Sequence, residues 1–176
     1  MIDTKEPAMT ETKEIFVKVD RCMGCLSCTM ACAVEHSKGK NLFAAINESP
    51  VPKSRLFVEH VAPDHKIPLV CRHCEEAPCM YACISGAISR DENGVVATDT
   101  DKCIGCWTCV MVCPFGVIGR HLEERKVFRC DRCPDRLTPA CVEACPTGAL
   151  VFDTVNTFAG NVRKSVSYEL SQAEGG

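Results

Sequence analysis

Cys22-Met23-Gly24-Cys25-Leu26-Ser27-Cys28-Thr29-Met30-Ala31-Cys32 is the stretch on which the reading of this chain turns. Its spacing is C-x2-C-x2-C-x3-C. Three thiolates on one tight loop can wrap three corners of a compact metal–sulfur group. The fourth follows about one helical turn later and points the other way. It cannot close the site of its own loop, so one such run predicts a partner run.

Three more runs follow. The second is Cys71, Cys74, Cys79, Cys83, spaced x2, x4, x3. The third is Cys103, Cys106, Cys109, Cys113, spaced x2, x2, x3 and followed by Pro114. The fourth is Cys130, Cys133, Cys141, Cys145, spaced x2, x7, x3 and followed by Pro146. All 16 cysteines fall into these runs. Each run opens with a two-residue gap and closes with a three-residue gap, and only the middle gap varies, where a loop can grow without moving the ligands. This is the spacing that holds cuboidal iron–sulfur clusters in bacterial ferredoxins, where the fourth cysteine ligates the other cluster of a pair. Four sets of four thiolates predict four 4Fe–4S clusters, with all sixteen cysteines as ligands.

Two other uses of cysteine fit less well. Structural zinc takes two C-x2-C knuckles separated by a long loop, whereas the first run packs four cysteines into eleven residues. Disulfide frameworks belong to oxidising compartments, and no export signal precedes the runs. The polar stretch Met1 to Glu14 has no apolar segment and no twin-arginine pair, and reads as a disordered tail. No stretch has the eighteen or so apolar residues of a membrane span. A cytoplasmic protein without direct membrane insertion is expected.

The 176 residues suffice for one compact domain or two very small ones. The hydrophobic fraction of 46% falls to about 37% without the cysteines, lean for a self-sufficient core. The clusters must then form part of the core, with metal binding coupled to folding. The formal charge is −3. A cluster with four thiolates carries about −2, so four bring the total to about −11. There is no basic surplus to neutralise phosphates, which argues against a nucleic-acid partner. Arg72, Lys102, Arg129 and Arg132 lie near cysteines and are candidates to offset cluster charge.

In chain order, Ile15 to Val19 reads as a strand and Cys28 to His36 as a helix beginning inside the first run. His36 is either a satisfied structural histidine or a group that tunes a cluster. Lys38 to Pro52 reads as an irregular insertion whose apolar Leu42, Phe43 and Ile46 serve local packing or docking. Arg55 to Val61 reads as a strand, Pro63 to Lys66 as a turn, and Ile67 to Val70 as the lead into the second run. Asn93-Gly94 between short apolar stretches signals a hairpin that delivers the chain to Cys103. Trp107 and His73, inside runs, are expected to shield clusters from water. Gly148 to Phe152 reads as a last strand able to pair with Ile15 to Val19. Val155, Phe158, Val162, Val166 and Leu170 then recur at helical spacing, with Asp153 or Thr154 as cap and Gly160 as a weak point.

Run, short helix, hairpin, run is the layout of a two-cluster ferredoxin. The fold expected is α+β: two ferredoxin-like modules, one inserted in the other. Residues 15–37 and 119–152 form the outer module, 71–118 the inserted one, 38–70 a connection, and 153–176 a C-terminal helix and tail.

CRHCEEAPC (71 to 79), CIGCWTCVMVCPFGVI (103 to 118) and CDRC…PACVEACPTGAL (130 to 150) resemble the four-cluster polyferredoxin subunits. These pass electrons in dimethyl sulfoxide reductase, formate dehydrogenase, formate hydrogenlyase and carbon monoxide dehydrogenase systems. ACAVEHS (31 to 37) and NLFAAI (41 to 46) look closest to the electron-transfer protein of carbon monoxide dehydrogenase. The resemblance covers about residues 15 to 152 and implies a ligand assignment. Cys22, Cys25, Cys28 and Cys145 would hold one cluster, and Cys130, Cys133, Cys141 and Cys32 a second. Cys71, Cys74, Cys79 and Cys113 would hold a third, and Cys103, Cys106, Cys109 and Cys83 the fourth. The sequence departs from the family at Ala33 and Ile84, where proline often follows the last cysteine, and at Ile84-Ser85-Gly86 in place of Pro-Thr-Gly.

The function expected is electron transfer, with the clusters carrying the redox chemistry and the protein setting spacing and potential. No catalytic constellation or nucleotide loop stands out, so the chain is not expected to be an enzyme alone. The resemblance implies a catalytic donor of carbon monoxide dehydrogenase type. The acceptor would be a hydrogenase or a flavin-containing pyridine nucleotide oxidoreductase. One rival changes the donor to a molybdenum or tungsten formate dehydrogenase or hydrogen-dependent CO2 reductase. Another, an iron–sulfur redox sensor, lacks the basic footprint of a DNA-binding protein.

Overall fold

The structure, a computed structural model, describes residues 11–63 and 65–173. It mixes short helices and strands, and every sheet is a two-stranded antiparallel ribbon. Strand β1 (Glu14–Val17) pairs with β8 (Leu150–Asp153), setting Ile15 opposite Phe152 and Val17 opposite Leu150. The chain thus returns to its start, as the alternating apolar residues at both ends predict. β1 ends at Val17, and Val19–Arg21 tightens into a 3-10 turn that enters the first run. Of the tail expected over 1–14, residues 1–10 lie outside the described residues, and Glu14 belongs to β1.

Helix α1 (Ser27–Glu35) starts inside the first run, as its spacing predicts, and packs on α5 (Ala140–Glu143) of the fourth run. The insertion after it is not wholly irregular. Asn41 caps a one-turn helix α2 (Leu42–Ala45) by accepting from the Ala44 N–H at 2.9 Å. Glu48 folds back to accept from the Lys38 and Gly39 N–H groups at 3.0 and 2.9 Å. Leu42, Phe43 and Ile46 are left facing solvent, with Phe43 79% exposed, so local packing does not explain them.

β2 (Phe57–Ala62) and β3 (His65–Leu69) form a hairpin with a bulge between His60 and Ala62. His65 and Lys66, expected in a turn, are in β3, because pairing with β2 satisfies their backbone groups. Asp64 of that turn lies outside the described residues. α3 (Pro78–Tyr81) carries Cys79 and packs on α4 (Thr108–Val112), which carries Cys109. Between them β4 (Ile88–Arg90) and β5 (Val96–Thr98) make the predicted hairpin. Asp91 accepts from the Asn93 and Val95 N–H groups at 2.9 and 2.7 Å, which shapes its turn. A further hairpin joins β6 (Gly119–His121) to β7 (Lys126–Phe128).

Two cores result. The first gathers Ile15, Leu56, Val70, Val117 and Leu150 around Cys28, Cys32, Cys71, Cys130 and Cys141. The second gathers Ala77, Ala87, Ile88, Val96, Ile118 and Val127 around Cys79, Cys103 and Cys109. Helix α6 (Val155–Ala173) follows β8, with the Thr154 hydroxyl accepting from the Thr157 N–H at 3.3 Å as its cap. Its Phe158 stacks on Phe16 with ring centroids 4.2 Å apart. Such a pair adds about 0.5–1.5 kcal/mol to burial. Past Gly160 the helix runs exposed. None of the described helices is long and apolar enough to cross a membrane.

Candidate iron–sulfur sites

The four runs share one backbone device. The residue before the second cysteine has positive φ in each: Gly24 at 73°, His73 at 46°, Gly105 at 70° and Arg132 at 60°. In the first and third runs the residue after that cysteine does too, Leu26 at 61° and Trp107 at 64°. Turns of this kind gather backbone N–H groups into concavities that bind anions. A residue with a Cβ normally resists positive φ, so His73 and Arg132 hold it against a cost.

The thiols collect across runs. Cys22, Cys25 and Cys28 line a recess with Cys145. Cys103, Cys106 and Cys109 line a matching recess with Cys83. In both, the last cysteine of one run completes the loop of another. Cys141 lies among Cys130, Cys133 and Cys32, close enough for their charges to act on it. Cys71 and Cys79 are bridged by one guanidinium, that of Arg129, which donates to their Sγ atoms at 3.2 Å each. Cys74 and Cys113 pack against the second core, and Cys113 also touches the first.

Burial governs the thiols. It pushes Cys28, Cys109 and Cys133 up to about 11 and Cys130 up to about 12, and it drives Cys141 up as well. Neighbouring thiols reinforce the rise at Cys109 and Cys141, since adjacent thiolates repel. The exposed Cys25 and Cys106 go the other way, held down by hydrogen bonds from Ser27 and Thr108. The Thr108 hydroxyl donates to Cys106 Sγ at 3.5 Å. At Cys32 burial is overcome by the His36 ring and by the Arg55 N–H, which donates to its Sγ at 3.2 Å.

Four buried donors lack a partner among the described residues: His73 Nε2, Arg129 Nε, Arg132 Nε and the Thr98 hydroxyl. His73 Nδ1 accepts from the Val96 N–H at 3.0 Å, which leaves its proton on Nε2. Burial and the two arginine charges hold His73 down to about 3, so it is a neutral donor. Orphaned donors of this kind cost about 1–3 kcal/mol each in a dry interior. A polyanionic group rich in sulfur acceptors fits them and the thiols alike. The residues present suit 4Fe–4S clusters.

Around the cysteines the structure adds residues that spacing does not reveal. Asp131 accepts from His36 Nε2 at 3.1 Å and from the Arg55 guanidinium, tying the first and fourth runs to the connection between them. His36 Nδ1 lies 2.7 Å from the Cys32 carbonyl, which makes His36 a satisfied histidine. Arg90 donates to the carbonyls of His73, Cys74, Glu75 and Gly94 and so pins the second loop. Lys126 Nζ reaches the Cys103 carbonyl at 2.6 Å. Of the four cations expected near the cysteines, Arg129 and Arg132 are buried. Arg72 and Lys102 are exposed, and Lys102 pairs with Asp99 at 3.2 Å. Trp107 is half-buried against the second core beneath the Arg120 guanidinium.

Residues 65–155 match the 4Fe-4S dicluster domain, and residues 19–35 match a 4Fe-4S binding domain. An iron–sulfur protein of Rhodospirillum rubrum is 36% identical over 183 residues, covering 95% of each chain. The thiosulfate reductase electron transfer subunit PhsB of Salmonella typhi is 40% identical over 146 residues, 75% of this chain and 70% of that one. The chain belongs to the 4Fe-4S electron-transfer subunits. The electron transport protein HydN of Escherichia coli K12 is a further relative, 37% identical over 155 residues, 78% of this chain and 85% of that one. PhsB and HydN are named for electron transfer and transport, PhsB as a subunit of a thiosulfate reductase.

Proposed function

We propose that the chain holds four 4Fe–4S clusters, two in each of two nested ferredoxin-like modules, and relays electrons from a carbon monoxide dehydrogenase. The acceptor is a hydrogenase or a flavin-containing pyridine nucleotide oxidoreductase, and the complex is cytoplasmic. The ligand sets are Cys22, Cys25, Cys28 with Cys145; Cys130, Cys133, Cys141 with Cys32; Cys71, Cys74, Cys79 with Cys113; and Cys103, Cys106, Cys109 with Cys83. When bound, each cluster accepts and passes on a single electron. The carrying observation is the crossed arrangement of thiols, in which Cys145 and Cys83 complete recesses built by other runs. The packing of α1 on α5 and of α3 on α4 supports the nesting, since it pairs outer run with outer run and inner with inner.

Two ends present themselves to partners. Cys25 is exposed beside Met23 and Leu26, and Cys106 beside Ile104, all of them exposed apolar side chains lining the same recesses. Apolar side chains beside exposed ligands exclude water when covered and shorten the path for an electron. The case for carbon monoxide dehydrogenase as donor rests on ACAVEHS and NLFAAI, which become the end of α1 and the exposed α2. Leu42, Phe43 and Ile46 on that segment make a docking patch for the donor.

Elemental analysis of the tagged chain, isolated anaerobically from its host with its partners, tests both parts. Expected are about sixteen irons per chain beyond the partner's share, little zinc, and nickel in the complex. Molybdenum or tungsten in place of nickel would move the donor to the formate dehydrogenase type. Stoichiometric zinc with little iron would overturn the cluster reading.

A further inference from the structure

Arg129 is 5% exposed, and its guanidinium is spent on two sulfur atoms. Its backbone leads directly into Cys130 of the fourth run, while its side chain crosses to Cys71 and Cys79 of the second. The positions just before the other runs differ. Arg21 and Lys102 are exposed and lie beside Asp20 and Asp99, and Val70 carries no charge. Arg132 is also buried, but its guanidinium faces Glu14 at 3.6 Å, which offsets its charge. Among the described residues, then, a buried cation donating to two cysteine sulfurs occurs at one site only.

The physical consequence follows from charge. Reducing a cluster adds one negative charge to a group already negative. Hydrogen bonds to the sulfurs and nearby positive charge favour the reduced form, and burial removes the water that would screen them. A guanidinium stays charged over the whole working pH range, so this bias does not titrate away. We propose that Arg129 sets the potential of the site containing Cys71 and Cys79, making it the most readily reduced of the four and the place where a first electron rests. This rests on the four-cluster reading and adds an order to it: electrons entering at either exposed end fall toward an inner site.

The test is a redox titration of the full-length, iron-replete protein followed by electron paramagnetic resonance. In the unaltered protein one site reduces ahead of the others. Arg129→Gln lowers that site's reduction equilibrium constant at least tenfold, about 59 mV for one electron, and leaves the other three within a factor of two to three. Arg129→Lys, which keeps the charge but not the paired donors, recovers most of the shift. Protein grown with guanidino-15N arginine shows nitrogen hyperfine coupling at the first-reduced site, and Arg129→Lys abolishes it. Should Arg129→Gln shed iron, the lysine variant and the labelled protein decide alone. Unmoved midpoints in an iron-replete Arg129→Gln variant would overturn the proposal, as would a first-reduced site without nitrogen coupling. Absence of iron from every form of the protein would overturn the cluster reading, and the proposal with it.

Discussion

Gly24 and Gly105 hold the same position in the first and third runs and nearly the same φ, 73° and 70°. Their surroundings differ. A Cβ on Gly105 would lie 2.3 Å from the Arg125 carbonyl oxygen, and one on Gly24 would lie 2.8 Å from Lys66 Cγ. A lysine side chain can swing away, but a backbone carbonyl moves only with its loop. Both alanine variants carry the cost of a side chain at positive φ, about 1 kcal/mol or more. Gly105→Ala adds overpacking against backbone, about 1–3 kcal/mol. In guanidinium, Gly105→Ala is therefore expected to lose its cluster absorbance about ten times faster than Gly24→Ala, since 1.4 kcal/mol is tenfold. Equal rates would mean that the Arg125 loop yields freely. His73 and Arg132 meet the same backbone demand without being glycine. Each carries a buried side chain near thiols: His73 Nδ1 lies 3.9 Å from Cys71 Sγ, and Arg132 is close enough to Cys130 and Cys71 for their charges to act on it.

Among the elements, α6 is the one held most by its own propensity. Only its first turns touch the body, through Phe158 on Phe16, and the rest is exposed. Gly160 sits mid-helix, where glycine costs about 0.8–1 kcal/mol relative to alanine. A Cβ there would meet only the end of Arg163, at 3.8 Å. Gly160→Ala should deepen the helical circular dichroism signal and leave the iron content unchanged; a loss of iron would show that the glycine serves packing after all. α6, 19 residues long, was legible because apolar residues recur at helical spacing from Val155 to Leu170. The β1–β8 pair was legible from alternation, and the β4–β5 hairpin from Asn93-Gly94. Of the β2–β3 hairpin only β2 was legible, since in β3 Pro68 cannot donate to a ladder and argues against a strand. β6–β7 was not legible, since its turn, Leu122-Glu123-Glu124-Arg125, has neither glycine nor asparagine. One-turn α2 is too short for periodicity to register. At the candidate sites, spacing pointed to the cysteines. The His36–Asp131–Arg55 network escaped it, because its members are 95 and 76 residues apart and carry no local pattern.

For the whole molecule, the question is what holds together the four ribbons and six helices of the described residues. A two-stranded ribbon is marginal alone in water, and the helices other than α1 and α6 span five residues or fewer. Half of the buried residues in the first core are cysteines, and a third of those in the second. Without iron these thiols are small, weakly packed side chains, several of them arranged so that their deprotonation is resisted by burial. In the proposed ligand sets, iron turns them into links that tie each run to another. Metal-binding free energy in such domains is folding free energy. The chain stripped of iron under reducing conditions is therefore expected to lose most of its near-ultraviolet circular dichroism and its resistance to protease, and α6 alone should keep some far-ultraviolet signal. Readdition of iron and sulfide should restore both, with uptake of iron releasing protons as thiols become ligands. An iron-free chain that unfolds cooperatively in urea with the slope expected for its size, about 1–3 kcal/mol/M for small proteins, would show that the hydrophobic residues suffice and that the clusters are passengers in a finished fold.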